Sequence, residues 1–220
     1  MSLWAIIPVK PFSKGKSRLS AILTVEQRIL LNSTMLSRTI RILKAVKEIH
    51  HIVVVSRDSS ALSIAHNFEV KTIQEEGVID LNRALERAAI VAKAYSANAV
   101  LVIPSDLPLL VPSDISSFLA RQKGGMEMII APDRRKEGTN ALYLSPPDLI
   151  EFKFGINSFK LHIEEAQRCG AQISIFDNFN FGLDIDISQD LEILKSVHNA
   201  TLLEELMLDD LIISPHQDNG

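Results

Sequence analysis

Two hydrophobic rhythms alternate along the chain. Residues 3–9 form a continuous apolar run closed by Pro8 and Pro11, the pattern of a strand buried on both faces. From 25 to 47 the apolar positions return at helical spacing, through Ile29, Leu30, Leu36, Ile40, Leu43 and Val46, with Thr24 placed to cap the first turn. Residues 52–55 predict a second buried strand, stopped by Ser56-Arg57-Asp58. A short helix over 61–66 and a short strand over 70–73 follow. Leu81, Leu85, Ala88 and Val91 mark a helix over 79–96. Residues 99–103 predict a strand ended by Pro104, 113–121 a helix capped by Ser113, and 128–131 a further strand. Strands and helices alternating at these intervals imply right-handed βαβ units. The expectation is an α/β fold, a mostly parallel central sheet with helices on both faces.

Beyond 132 the rhythm breaks. Residues 133–139 are polar, and six of the nine phenylalanines fall between Phe152 and Phe181. This stretch, 133–187, is expected to build a lobe over a ligand cleft, with strands over 141–144 and 173–176. Residues 188–213 predict two leucine-rich helices. Their leucines, with Met207, Ile212 and Ile213, exceed the obvious need of one small core, so 188–220 is a candidate homodimer contact.

Composition narrows the class. A chain of 220 residues with 46% apolar and 23% charged residues can bury one good core without staples. A single cysteine, Cys169, excludes an internal disulfide framework and an all-cysteine zinc site, which suits the cytoplasm. No stretch approaches the roughly 20 apolar residues that span a bilayer, and the N-terminal run is too short for a signal peptide. The net charge of −4 argues against nucleic acid as a partner. The charge is uneven, however: Lys10, Lys14, Lys16 and Arg18 place four cations within nine residues. One concentrated basic loop on an acidic chain points to a small, highly charged anion.

Familiar signatures are missing. There is no G-x-G-x-x-G, no P-loop and no Gly-x-Ser-x-Gly elbow, and the histidines lack metal-ligand spacing. The first positive site is the loop from Lys10 to Arg18, at the C-terminal edge of the first strand, where open α/β sheets bind ligands. Gly15, Ser13 and Ser17 let backbone amides approach phosphate, and the cations neutralise it. A solvated basic loop is the plainer alternative. Second, Asp106 in Pro104-Ser105-Asp106-Leu107-Pro108 sits just past an apolar strand, as a metal ligand or as a turn cap. Third, Asp184 and Asp186 in Leu183-Asp184-Ile185-Asp186 would share one face of an extended segment and repel unless a cation lies between them. Alternatively, Asp186 caps the next helix with Gln189 completing the box. Asn82 could meet a base or ribose, or cap its helix. Gly138-Thr139-Asn140 could meet an anion or be a turn. Phe154-Gly155 leading to Ser158 could place an anion at a helix N-terminus, with Ser158 otherwise a plain cap. His162 fits packing or capping better than catalysis.

Taken together these motifs resemble the 2-phospho-L-lactate guanylyltransferase family of deazaflavin coenzyme (F420) biosynthesis. The residues carrying the resemblance, over about 3–195, are Ile7-Pro-Val-Lys-Pro11 with Lys16-Ser-Arg-Leu19, Pro104 to Leu109, Gly138 to Leu142, Phe154-Gly155 with Ser158-Phe159 and His162, and Gly182 to Asp186. More broadly the chain resembles nucleotidyltransferases with a glycosyltransferase-A-like, nucleotide-diphospho-sugar transferase architecture. The resemblance implies a single domain with a nucleotide-binding core (1–132), an acceptor-binding lobe (133–187) and C-terminal helices (188–220). It implies GTP and 2-phospho-L-lactate, or phosphoenolpyruvate, as substrates, with Mg2+ as cofactor. Carried over, Asp106, Asp184 and Asp186 match the metal-binding carboxylates. Thr139, Gly155 and Ser158 match the acceptor-binding positions. Lys16 and Arg18 fit the triphosphate loop, with Lys16, Arg18 and Asp106 as catalytic groups. From their own positions in the chain, Lys10 and Asn82 join Lys16, Arg18 and Asp106 as expected nucleotide contacts.

The reaction so implied is in-line attack of an acid's phosphate oxygen on the α-phosphorus of GTP. An alkyl phosphate is mostly dianionic at neutral pH, so no general base is needed. The obstacle is anion meeting anion, about 4 kcal/mol per pair of unit charges at 4 Å and a dielectric near 20. Carboxylate-held divalent cations and the basic loop would offset it. Two other readings remain: the same fold acting on another phosphorylated acceptor, and a nucleotide-binding regulatory protein without turnover.

Overall fold

The computed structural model describes residues 2–77, 80–197 and 200–206. In chain order the elements are β1 (Leu3–Val9), α1 (Val25–Lys44), β2 (His51–Ser56), α2 (Ser59–Asn67), β3 (Lys71–Gln74), α3 (Leu81–Ala94), β4 (Ala99–Val102), α4 (Pro112–Leu119), β5 (Glu127–Pro132), β6 (Thr139–Ser145), α5 (Ser158–Arg168), β7 (Gln172–Ile175), α6 (Phe179–Gly182), α7 (Ser188–Val197) and α8 (Ala200–Glu205). The strands form one sheet in the order β3-β2-β1-β4-β6-β5-β7.

The expected α/β architecture is present. All strands run parallel except β6, which enters antiparallel between β4 and β5. Residues 133–187, expected as a lobe over the cleft with two further strands, contribute β6 and β7 to the same sheet. An apolar run reveals a buried strand but not its direction, so this reversal had no signature in the sequence.

Strand residues alternate between two apolar layers. Ala5, Ile7, Val54 and Leu101 face Leu36, Ile40 and Leu43 of α1 and Phe118 of α4. Trp4, Ile6, Val53 and Val102 face Leu85 and Ala88 of α3 and Ala166 of α5. A third cluster lies beyond one end of the sheet. It joins Leu19 and Leu23, Leu31 and Met35 of α1, Leu109, Leu183 and Ile185, and Leu191, Leu194, Leu202 and Leu206 of the C-terminal helices. Of the leucines taken from the sequence as surplus, Leu191, Leu194, Leu202 and Leu206 are buried within the chain, and residues 207–220 lie outside the described part.

Local signals mostly held where side chains could close a hydrogen bond. Thr24 caps α1, accepting from Gln27 N, while the Gln27 side chain returns to Thr24 N. Ser113 does not cap α4: Pro112 occupies its first position, Val111 precedes it, and Asp114 accepts from Val111 N at 3.0 Å.

Candidate active site

The basic loop is built by its neighbours. Ser56 Oγ donates to Val9 O at 2.8 Å and accepts from Asp58 N at 3.0 Å, and Asp58 Oδ2 accepts Phe12 N at 2.7 Å. Pro11 O then accepts both Lys14 N and Gly15 N, closing a tight turn. A Cβ on Gly15 would stand 2.6 Å from Asn32 Nδ2, an atom already bonded to Phe12 O at 3.1 Å. Arg28 Nη1 holds Gly15 O at 3.0 Å, and Lys16 follows with a φ of 54°. Helix α1 thus pins the loop so that the Lys16 side chain turns inward.

There it meets the carboxylates. Lys16 Nζ lies 2.6 Å from Asp106 Oδ2 and 3.3 Å from Asp186 Oδ1. Asp106 follows β4. Asp184 and Asp186 come from an extended segment whose Ile185 N donates to Asp106 O at 3.1 Å. Leu183 and Ile185 point into the third apolar cluster, so the two aspartates share the opposite face, as period-two alternation requires. Asp186 is not the helix cap: Asp190 Oδ2 accepts both Asp186 N and Ile187 N at 2.9 Å. One oxygen each of Asp106, Asp184 and Asp186 lies within 4.8 Å of the others.

The electrostatics follow. Burial pushes the Asp184 carboxyl up to about 6, helped by the like charges of Asp106 and Asp186 and opposed by an Asn140 hydrogen bond of 3.3 Å. Burial alone would lower the Lys16 ammonium, but Asp106, Asp186 and Asp184 outweigh it and hold it above its ordinary range. Three carboxylates for one buried cation leave excess negative charge. Oxygen-only donors at this spacing fit a hard divalent cation, and the ammonium seated among them shows that the site accepts positive charge.

Two clefts meet at this cluster. One, of about 250 Å3, runs along the strand ends from Asp106 and Asp186, past Lys16, Lys10 and Gly15, to Arg57 and Glu75. The other, of about 130 Å3, is polar and includes Asp184, Asp186, Arg18, Arg134 and Arg135. The four cations of the basic loop therefore divide. Lys10 lines the long cleft, Lys16 is buried in the cluster, Lys14 is exposed, and Arg18 faces the second cleft rather than the long one with Lys10 and Lys16.

The acceptor candidates gather on α5 and the start of β6. Lys153 N donates to His162 Nε2 at 3.0 Å, so the neutral imidazole carries its proton on Nδ1 and donates it to Thr139 Oγ1, also at 3.0 Å. The Thr139 hydroxyl is left to donate elsewhere. His162 is fully buried, and that burial with the Lys153 charge lowers its pKa to about 4. Ser158, one turn before His162, occupies the first position of α5 and accepts no capping role; Asn157 precedes it with a φ of 59°. Gly155 adopts a φ of 133°, and its carbonyl accepts Ser158 N at 3.2 Å. Asn82 departs from expectation. Its Nδ2 donates to Phe154 O at 3.1 Å and its Oδ1 accepts Phe154 N at 2.7 Å, so both ends of the amide bond the backbone of one residue. Asp80, not Asn82, caps α3. Asn82 fastens the 152–158 segment and does not line the long cleft.

Sequence reasoning named Asn140 only as part of a turn and missed Asp190, Arg134 and Glu75. Asp190 was readable as a carboxylate in the first turn of a helix. The others signal nothing until the sheet brings distant strand ends together.

The sheet carries a long cleft over its strand ends that finishes on carboxylates and a buried lysine. Among solved structures the chain is similar to a Desulfovibrio desulfuricans G20 protein described as a nucleotide-diphospho-sugar transferase, with a TM-score of 0.77 and 17% identity over 96% of this chain and 97% of that one. The chain belongs to the family described as guanylyl transferase CofC like, whose profile matches residues 3–219. It is 36% identical to the phosphoenolpyruvate guanylyltransferase of Rubrobacter xylanophilus over 89% of this chain and 95% of that one. It is also 36% identical to the 2-phospho-L-lactate guanylyltransferase of Methanothermobacter thermautotrophicus, over 87% and 83% respectively. It is a nucleotidyltransferase enzyme.

Proposed function

We propose that the chain transfers GMP from GTP to a phosphorylated three-carbon acid, phosphoenolpyruvate or 2-phospho-L-lactate, releasing pyrophosphate, in F420 biosynthesis. The observation that carries this is the junction of a long cleft and a polar cleft on one Lys16–Asp106–Asp184–Asp186 cluster. A nucleotide in the long cleft and an acid in the other would bring α-phosphorus and phosphate oxygen together there.

Lys10 and the Gly15 turn lie along the path of the triphosphate, and the Lys16 ammonium is placed to donate to its oxygens. Asp106, Asp184 and Asp186 would hold Mg2+, which when bound supplies charge neutralisation and Lewis acidity at the phosphoryl oxygens. Arg18, Arg134 and Arg135 offer cationic charge to the acid from the second cleft. Thr139, Gly155 and Ser158 form a second, uncharged arm, with the Thr139 hydroxyl free to donate because His162 supplies its other bond. The attacking phosphate oxygen arrives deprotonated, so no residue needs to remove a proton. His162 supports this: both of its nitrogens are engaged, and burial keeps it neutral. Positioning and charge carry phosphoryl transfer.

A homodimer and a cytoplasmic location belong to the same proposal. Ile22, Val25, Ile29 and Leu30 leave an exposed apolar strip at the start of α1, and among the described residues no helix is long and apolar enough to cross a membrane. Pyrophosphate release measured with four nucleoside triphosphates against phosphoenolpyruvate, 2-phospho-L-lactate and phosphoglycerate tests the reading. GTP with one of the first two is expected to give the highest turnover. Activity confined to another nucleotide or another acceptor class would contradict it.

A further inference from the structure

The long cleft has a direction. Its phosphate end is fixed by Lys16, Asp106 and Asp186, so the base of a bound nucleotide falls at the opposite end, past β1 toward the ends of β2 and β3. Asn82 does not line that cleft, and its amide bonds both backbone groups of Phe154. The polar side chains at that end are Arg57, one residue after β2, and Glu75, one residue after β3.

Both are held in place and both have bonding capacity to spare. Glu75 N donates to Ser56 O at 2.9 Å, extending the β2–β3 pairing by one residue and fixing the direction of the side chain. Arg57 Nη2 donates to Gly77 O at 3.3 Å. Arg57 Nε stands 3.7 Å from Glu75 Oε2, an ion pair without a hydrogen bond, and it is buried with no hydrogen-bond partner among the described residues. The Glu75 side chain is only 14% exposed, so its carboxylate is largely removed from water. Leu81, Pro8 and Val9 supply apolar surface nearby.

We propose that Glu75 selects guanine: its carboxylate accepts the N1 and 2-amino hydrogens of the base, while Arg57 donates to O6 and N7. Guanine alone among the common bases presents two adjacent donors on that edge, which matches the two oxygens of a carboxylate. Adenine would turn its N1 lone pair toward the same oxygens and be rejected by lone-pair repulsion and by the missing donor. The inference rests on the guanylyl-transfer reading and adds the residue that makes it specific for guanine.

Equilibrium binding of GTP, ITP and ATP, each with Mg2+, to the wild-type chain and to Glu75→Ala and Glu75→Gln tests it. ITP keeps N1–H and lacks the 2-amino group. The wild type is expected to bind GTP about tenfold tighter than ITP and about a hundredfold tighter than ATP. In Glu75→Ala the three affinities should converge through a loss for GTP and ITP, with the melting temperature little changed. Glu75→Gln, which keeps one acceptor, should fall between. A wild type that binds GTP and ATP alike, or a Glu75→Ala that keeps the full preference, overturns the assignment. If the wild type releases no pyrophosphate with any phosphorylated acid, the transfer reading fails, while the binding comparison still decides whether Glu75 reads guanine.

Discussion

Asp184 is the residue at which stability and chemistry conflict. It is half-buried beside two other carboxylates, and its pKa is raised to about 6. Removing its charge relieves repulsion in the metal-free chain, so Asp184→Asn should melt no lower than the wild type without metal. The same change should cut turnover by about a hundredfold or more, on the scale of a lost electrostatic contact to a transferring phosphoryl group. Asp106→Asn should also lose turnover by orders of magnitude with the fold retained. Wild-type turnover in either variant would contradict the roles given to these carboxylates. His162 makes a separate prediction. Its pKa is about 6.5 in the unfolded chain and about 4 in the fold, so acid protonates the unfolded chain first. The stability it contributes is complete above about 6.5 and is lost as pH falls toward 4. Between pH 7.5 and 5 this amounts to about 2 kcal/mol, to be seen as a steeper loss in denaturant unfolding of the wild type than of His162→Gln. Parallel losses would contradict it. The aspartates were legible because alternation in an extended segment is a strong local rule. The partner of Lys16 was not, since Lys16 and Asp186 are brought together only by the third apolar cluster and the Ile185–Asp106 backbone bond.

At the scale of elements, the strands were readable from apolar runs and the helices from their spacing, but orientation and terminal detail were not. The reversal of β6 places Thr139 at the same sheet edge as the ends of the parallel strands, which is what allows acceptor-binding candidates to lie near the cluster. Asn82 shows a different limit. A polar side chain at a helix start is ambiguous between cap, ligand contact and staple, and only the fold reveals that Phe154 occupies it. The two assignments diverge experimentally. If Asn82 fastens the 152–158 segment, Asn82→Ala should raise the KM for the phosphorylated acid by up to about thirtyfold and leave that for the nucleotide nearly unchanged, since two hydrogen bonds at about 1 kcal/mol each hold the segment. A selective rise in the nucleotide KM would restore the base-contact role.

Over the whole molecule, net charge and apolar content told little, and their distribution told much. Three of the four cations of one loop serve two clefts and a buried ion cluster while Lys14 faces solvent, so a run that reads as a single patch in sequence is divided by the fold. Leu191 and Leu194 of α7, Leu202 of α8 and Leu206 complete a third core instead of lying spare, and Arg38 and Arg41 of α1 pair with Glu205 to hold α8 against the body. The homodimer proposal therefore falls to the strip at Ile22, Val25, Ile29 and Leu30. Light scattering should give twice the chain mass, and Ile29→Lys with Leu30→Lys should give the monomer; a wild-type monomer at micromolar concentration contradicts the dimer. The central claim is that the acid's own phosphate attacks the α-phosphorus of GTP at the junction of the two clefts. Mass spectrometry after reaction with acceptor carrying 18O in its phosphate tests this directly. All of the label should remain in the GMP-bearing product and none should enter pyrophosphate. Label in pyrophosphate, or an acceptor product carrying more than one phosphoryl group from GTP, would contradict it.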